Sequence, residues 1–388
     1  MPNHDADRFS KRFPPLHAPR LLALRPSIEL SANEQSAFHQ FFETYRQLSG
    51  DISNSPEQEL ITQALLSCQN PFWTAGHAVM IWQEETSALI GFSHPDQKLN
   101  GEAACFFGYF ACGKDARAAE PVFAKLYEWS HQMGAKKLVG PIQFKTAYDY
   151  RLRMDSFHEK TFWGEPKNPE HHLHALKDAG FEITQEYFTD FILNLTKVRQ
   201  IAHQKFSRAS TAIQMQSTGQ TKKRASIEPF SLALFNEHRA EIFNLANSLF
   251  AGNAAFQPLN QFDFALLYPE ALLKSLCQKT SFLIFDFEGK LRGLCLSFAD
   301  PADPKCLMIK TIGVDADFRN GGRTFVAALK FIFEHSISYQ SLAFCLMTKG
   351  NQVHRLTEKY SDHQRRYALF AKNVAENQSI FSKIENPE

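Results

Sequence analysis

The sequence predicts an α/β protein of the mixed α+β kind, with one domain pattern laid down twice along 388 residues. Three observations carry this. In each half a strand-like run, a polar loop, an amphipathic helix and a second strand follow one another. In each half two apolar runs joined by a short polar turn precede them, the pattern of an antiparallel hairpin. Between Thr196 and Ser226 the large apolar residues give way to Ser, Thr, Gln and cations, the composition of a polar helix followed by a loop. Each half is expected to form a central, mostly antiparallel sheet flanked by helices, which is not the doubly wound dinucleotide arrangement.

In the first half, Ala78–Trp82 and Ser87–Phe92 read as antiparallel strands about the turn Gln83–Thr86. Ala104–Phe110 is the next strand; Val122, Leu126, Trp129 and Met133 then recur at helical spacing, and Lys136–Val139 opens another strand. In the second half, Phe282–Phe287 and Leu291–Leu296 form the hairpin about Glu288–Lys290, and Leu307–Val314 the strand. The helix covers 323–336, and Leu342–Met347 is the strand after it. Residue identity between the copies is low, so the repeat is structural. The expected division is a flexible N-terminus over 1–20, a domain over 21–195, a linker over 196–225, a domain over 226–375 and a tail over 376–388.

Lys and Arg number 42 against 41 Asp and Glu, so no global field gathers a polyanion or an anionic membrane, and nucleic acid is not an expected partner. Lys222-Lys223-Arg224 closes the linker without interleaved aromatics, the pattern of a solvated loop. Phe, at 36 residues against 10 Tyr and 4 Trp, predicts Phe-rich cores. The 7 cysteines form no CxxC pair and several sit in apolar runs, which reads as buried thiols in a reducing compartment. No apolar run approaches the roughly 18 residues of a membrane span, and the N-terminal segment lacks a signal-peptide core. The cytoplasm is therefore the expected location, with no membrane partner.

The sharpest local signal is Val314 to Thr324, VDADFRNGGRT, which leaves a strand and opens a helix. Backbone N–H groups at a positive helix end can cradle a diphosphate, and Gly321 and Gly322 permit close approach. The segment resembles the acyl-CoA signature of the GNAT superfamily of acyltransferases, which follows a strand ending in Val. Arg319 and Gly322 match its first and fourth positions, and Thr324 stands where the family has Gly or Ala. Lys310–Val314, Leu346–Asn351 and Arg365–Phe370 resemble a poorly characterised branch of tandem GNAT proteins. So do Gly140–Phe144, Tyr148–Leu152, Gly164–Pro169 and Ala179–Phe181, so that the resemblance covers about Asn70 to Phe370 outside 196–226.

This resemblance implies two tandem GNAT domains and an acyl-CoA co-substrate, acetyl-CoA or another acyl-CoA. The backbone of Ile312 and Val314 would pair with the pantetheine arm, and Arg319, Asn320, Gly321, Gly322, Arg323 and Thr324 would hold the diphosphate. The first copy has CGKDAR over Cys112–Arg117 where such a loop should be, so only the second copy is expected to bind acyl-CoA. The resemblance also implies direct transfer: an amine loses a proton and attacks the thioester, a strand N–H stabilises the oxyanion, and a Tyr protonates the leaving thiolate.

Counting from Asn351, the family's Tyr position holds Glu358, and Tyr360 lies two residues on. Tyr360, Asn351 and Glu358 are the catalytic candidates, though Asn351 serves equally as a helix cap and Tyr360 as a structural residue. His354 and Glu358, at i and i+4, are either base and partner or an exposed pair. Lys310, beside the thioester path, is either catalytic or a snorkelling or paired lysine. Tyr148, Arg151, Glu165 and Asn168 are candidates to line the acceptor cleft; the alternative is that Glu165-Pro166 and Asn168-Pro169 only fix turns. His171, His172 and His174 read as solvated histidines without a third ligand, so no metal is expected.

The expected function is acyl-CoA-dependent N-acyl transfer, with acetyl transfer in front, to a small-molecule or peptide amine. An acyl carrier protein is the alternative bearer of the pantetheine arm. A Fem-like aminoacyl-tRNA-dependent transferase and a non-catalytic acyl-CoA-binding protein are the alternative functions.

Overall fold

The computed structural model describes residues 18–24, 31–49, 56–115, 117–206, 225–319 and 322–374. The basic cluster Lys222-Lys223-Arg224 and two donor-loop candidates, Asn320 and Gly321, lie outside them.

In the first half, β1 (Arg20–Leu24), α1 (Ala32–Ser49) and α2 (Pro56–Leu66) precede β2 (His77–Gln83), β3 (Ser87–Leu99) and β4 (Glu102–Cys112). Then come α3 (Glu120–Gln132), β5 (Lys137–Gly140), the short β6 (Leu152–Arg153), α4 (Glu170–Asp178) and β7 (Glu182–Ile192). The second half begins with α5 (Leu195–Phe206), β8 (Ser226–Pro229), α6 (Leu232–Glu237), α7 (Arg239–Phe250), α8 (Gln261–Leu267) and α9 (Glu270–Ser275). It continues through β9 (Phe282–Phe285), β10 (Leu291–Asp300), β11 (Asp303–Val314), α10 (Arg323–His335), β12 (Ser341–Thr348), α11 (Gln352–Thr357) and β13 (His363–Asn373).

The hairpins form where period-two patterning and polar turns place them. Gln83 faces Ser87 across β2 and β3, and Phe285 faces Leu291 across β9 and β10. The β4–β5 and β11–β12 pairs are parallel, each linked by a crossover helix, α3 or α10.

The thirteen strands make one sheet, ordered β1-β2-β3-β4-β5-β13-β7-β12-β11-β10-β9-β8, with β6 beside β13. The halves therefore exchange strands. β13, from the end of the chain, lies between β5 and β7, with Phe370 opposite both Gly140 and Ile183. β7 in turn pairs with β12, Leu342 opposite Ile192. Each run of five strands is thus continued by a strand from the other half, so a division of the chain at 196–225 cuts across the sheet.

Side-chain alternation sorts the core to the two faces. Val79 and Ile81 of β2 join a cluster under α3 and α4, while Ala78, Met80 and Trp82 join one under α1. Likewise Leu307 and Ile309 of β11 pack with α10, and Cys306 and Met308 with α6 to α9. One stripe of α10, Phe325, Ala328, Leu329, Ile332 and Phe333, is buried, and each large apolar side chain there contributes about 1.5–3 kcal/mol. The Phe excess goes into these cores; Phe92 and Phe144, for example, lie with ring centroids 4.4 Å apart. Five cysteines are buried, while Cys277 is half-buried and Cys68 exposed. Among the described residues no helix is long and apolar enough to cross a membrane.

Candidate active site

The parallel pairing of β11 with β12 runs from Cys306–Ser341 to Ile309–Phe344, and there the strands part. Both are irregular at that point. The β10–β11 register slips by one residue at Lys310, and β12 carries a bulge at Leu346, whose φ is +57°. Lys310, Thr311, Ile312 and Leu346 are left half-buried beside the opening, whereas Val314 is fully buried.

Beyond β11, Asp315 caps a short 3-10 turn and pairs with Arg292 at 3.0 Å, which fixes the start of the loop. Arg319 Nε donates to the Val314 carbonyl at 3.2 Å. Gly322, at φ +89°, precedes the first turn of α10, and no side chain caps that turn. A Cβ at 322 would stand 2.3 Å from Gln352 Nε2 at the start of α11, so glycine keeps two helix starts close together. Arg319 and Arg323 are exposed on either side of Gly322. Thr324 does not intrude: it is buried, and its hydroxyl donates to the Phe318 carbonyl at 2.8 Å. Uncapped N–H groups, a glycine at the close approach and two exposed guanidiniums suit a diphosphate.

The equivalent place in the first half is closed. After β4 and β5 pair from Ala104–Lys137 to Phe106–Val139, the Phe107 carbonyl accepts from Ile142 N at 2.6 Å. A Cβ at Gly108 would meet the Ile142 carbonyl oxygen at 2.5 Å. At the end of β4, Cys112 N donates to His172 Nε2 at 3.2 Å and Cys112 O lies 2.9 Å from His171 Nε2. The expectation of solvated histidines is therefore corrected. His172 is buried, His171 half-buried, and only His174 is exposed, because α4 packs onto a strand end that the helix sequence alone does not reveal. Burial, helped by the neighbouring His171, pulls the His172 pKa down to about 3. A third potential ligand does lie near: the Cys112 thiol is within 4.8 Å of imidazole nitrogens of both histidines. Burial pushes that thiol up to about 12, and both Nε2 atoms already serve the Cys112 backbone.

The acceptor candidates share the 141–168 segment but divide in role. Tyr148 donates to Asp263 on α8 at 2.7 Å, beside an ion pair of Lys145 with the same carboxylate at 2.6 Å; burial, reinforced by Asp263, raises the phenol's pKa. The Arg151 guanidinium lies 3.7 Å and 4.2 Å from the ring centroids of Tyr150 and Tyr187 and donates to the Leu346 carbonyl at 3.1 Å. Both residues therefore tie the first half to the second, Arg151 at the parting strands themselves.

Glu165 and Asn168 are engaged structurally. Buried Glu165 accepts from Tyr367 Oη, from Arg365 at 2.7 Å and from Phe162 N at 3.0 Å. Asn168 accepts from Arg153 N at 2.8 Å and donates to the Arg153 carbonyl at 3.3 Å.

Of the catalytic candidates, Asn351 caps α11, accepting from Val353 N at 2.8 Å. Tyr360 is half-buried and, with Ile192, Leu329, Phe333 and Leu356, lines an apolar cavity of about 100 Å³. Glu358 is exposed, 3.8 Å from His354 Nε2. The exposed-pair alternative for His354 is also corrected. His354 is buried, its Nδ1 3.0 Å from Asp190 Oδ2 and its ring stacked on Phe188 at 4.5 Å. Thr357 and Gln364 donate to the same carboxylate. Asp190 was missed by sequence reasoning; its one signal was an acid inside the apolar run YFTDFIL.

No family model matches the sequence, and no curated protein matches it. Solved structures do. A conserved protein of Enterococcus faecalis described as a probable N-acyltransferase superposes with a TM-score of 0.52 at 12% identity, over 92% of this chain and 72% of that one. A GCN5-related N-acetyltransferase of Kribbella flavida gives 0.47 at 9% identity, over 92% and 71%. A tandem GNAT protein from the clavulanic acid biosynthesis pathway gives 0.45 at 10%, over 92% and 99%. The Enterococcus likeness shows that this chain shares the fold of that protein.

Proposed function

We propose that this GNAT-fold chain is an acyltransferase that takes an acyl group from an acyl-CoA thioester, acetyl-CoA in the first instance, and passes it to an amine. The carrying observation is the second-half cleft: β11 and β12 part directly before an uncapped helix start flanked by exposed Arg319 and Arg323. Residues 310–314, apart from the Val314 carbonyl that Arg319 Nε holds, would offer their backbone on the β12 side to a pantetheine arm, and the loop from Arg319 to Thr324 would hold the diphosphate. The 141–168 segment, which reaches Leu346 and Lys310 from the first half, would wall the acceptor side. In the transfer the amine nitrogen attacks the thioester carbonyl, a β11 N–H holds the oxyanion, and the thiol leaves with the proton that the amine gives up. A small-molecule or peptide amine is the proposed acceptor, and the cytoplasm the proposed location.

Calorimetric titration with acetyl-CoA and longer acyl-CoAs tests the donor site. Gly322→Glu should abolish binding by filling and repelling the diphosphate site, while Gly113→Glu, in the closed half, should leave it unchanged. Wild-type protein that binds no acyl-CoA would overturn the reading. A second reading, a non-catalytic acyl-CoA-binding protein, is favoured by Asn351 acting as a cap and Tyr360 lining a separate cavity. Amine-dependent release of free CoA separates the two.

A further inference from the structure

Lys310 is the one titratable side chain on the run of β11 that parts from β12, and its surroundings are not those of an ordinary ammonium. Its Nζ donates to the Gly164 carbonyl at 3.1 Å and lies 5.5 Å and 5.9 Å from the ring centroids of Trp163 and Phe162. Gly164, at φ +72°, is held against it; a Cβ there would stand 2.5 Å from Nζ. Among the described residues no carboxylate pairs with this amine. The charged and titratable groups around it are Cys345, the Arg151 guanidinium, Asp149 and Glu165. Burial lowers the pKa of the ammonium and Arg151 adds to this, against the opposing pull of Cys345, Asp149 and Glu165. The lowered pKa makes the neutral, nucleophilic amine more available than on a free lysine, although the Gly164 carbonyl and the two ring faces favour the ammonium.

We propose that Lys310 is itself an acyl-acceptor site, its Nζ taking the acyl group from a thioester presented between β11 and β12. The Nζ lone pair forms a C–N bond to the thioester carbonyl carbon, the C–S bond breaks, and the thiolate departs. The proton shed by the new amide nitrogen converts that thiolate to free thiol, so no further reactant is needed. This inference rests on the donor reading above.

The test is incubation of the full-length protein with acetyl-CoA, followed by intact-mass and peptide mass spectrometry. The expected result is one acetyl group on Lys310, formed at a rate that saturates with acetyl-CoA and exceeds labelling of the exposed Lys274 and Lys349. The label should be lost in Lys310→Arg and in Gly322→Glu, both checked for folding by circular dichroism. Protein that binds acetyl-CoA by calorimetry while Lys310 stays unmodified, or is labelled no faster than in the urea-unfolded chain, overturns the inference and leaves the donor reading standing. Absence of acetyl-CoA binding overturns both.

Discussion

The ends of β4 and β11 occupy corresponding places in the two halves and have opposite fates. At β4 two imidazoles take the backbone N–H and C=O of Cys112, and the Phe107 carbonyl is taken by Ile142. At β11 the side-chain bond comes from Arg319, itself exposed, reaching back to the Val314 carbonyl. One order of elements therefore yields either a sealed strand end or two parted strands, depending on which polar groups satisfy the last backbone atoms of the strand. The order of elements is the same in both halves; the first is closed by two histidines at a helix start and by Ile142 on the Phe107 carbonyl.

The largest test of this contrast removes what the halves share. A chain ended at Ser361 lacks β13, which leaves β5 and β7 without their common neighbour; cooperative thermal unfolding followed by circular dichroism should disappear. A truncated chain that melts like the full-length one would show that each half completes itself.

Next in size is Glu165→Gln, which removes one of two carboxylates from Arg365, Glu159 remaining at 2.7 Å, and should cost about 1–3 kcal/mol in urea unfolding. If stability holds and only acyl transfer falls, Glu165 belongs to the acceptor cleft after all.

The histidine seal makes a pH prediction. His172 is held neutral down to about pH 3 against an ordinary value of 6.5, so in that window the unfolded chain binds the proton and the folded chain does not. The stability contributed at pH 7 is lost as pH falls through the window, at roughly 1.4 kcal/mol per unit. His172→Leu should flatten that slope, although losing the acceptor for Cys112 N lowers stability near neutrality. An unchanged acid slope would mean that His172 is not the titrating group.

The smallest effect is expected for Thr324→Ala. It gives up the bond to the Phe318 carbonyl, about 1 kcal/mol, and should lower acyl-CoA affinity far less than Gly322→Glu does.

Much of this architecture is local and so can be read from the sequence. The hairpins at Gln83–Ser87 and Phe285–Leu291 follow from alternation and turn residues, and α10 from its apolar stripe. The strand exchange is not local. β7 and β13 carry patterns that fit either neighbour, and nothing in 363–373 says that its partners lie near residues 140 and 185. The same limit explains the site. Glu165 stood out as an acid between Gly and Pro, but its partner Arg365 is 200 residues away, and the role of His354 depends on Asp190, 164 residues distant. Conversely, Gly322 was legible because its requirement, a left-handed backbone at a helix start, belongs to the loop itself.

The position of β13 also bears on how the protein is made. Synthesis delivers β1 to β5 and β7 long before the strand that lies between β5 and β7. Until residues 363–373 are made, β5 and β7 each keep a bare edge where β13 will lie, open to neighbouring chains on a polysome. Completion of the amino-terminal half thus waits for synthesis of β13, and α1 to α4 must cover an unfinished sheet while the second half is added.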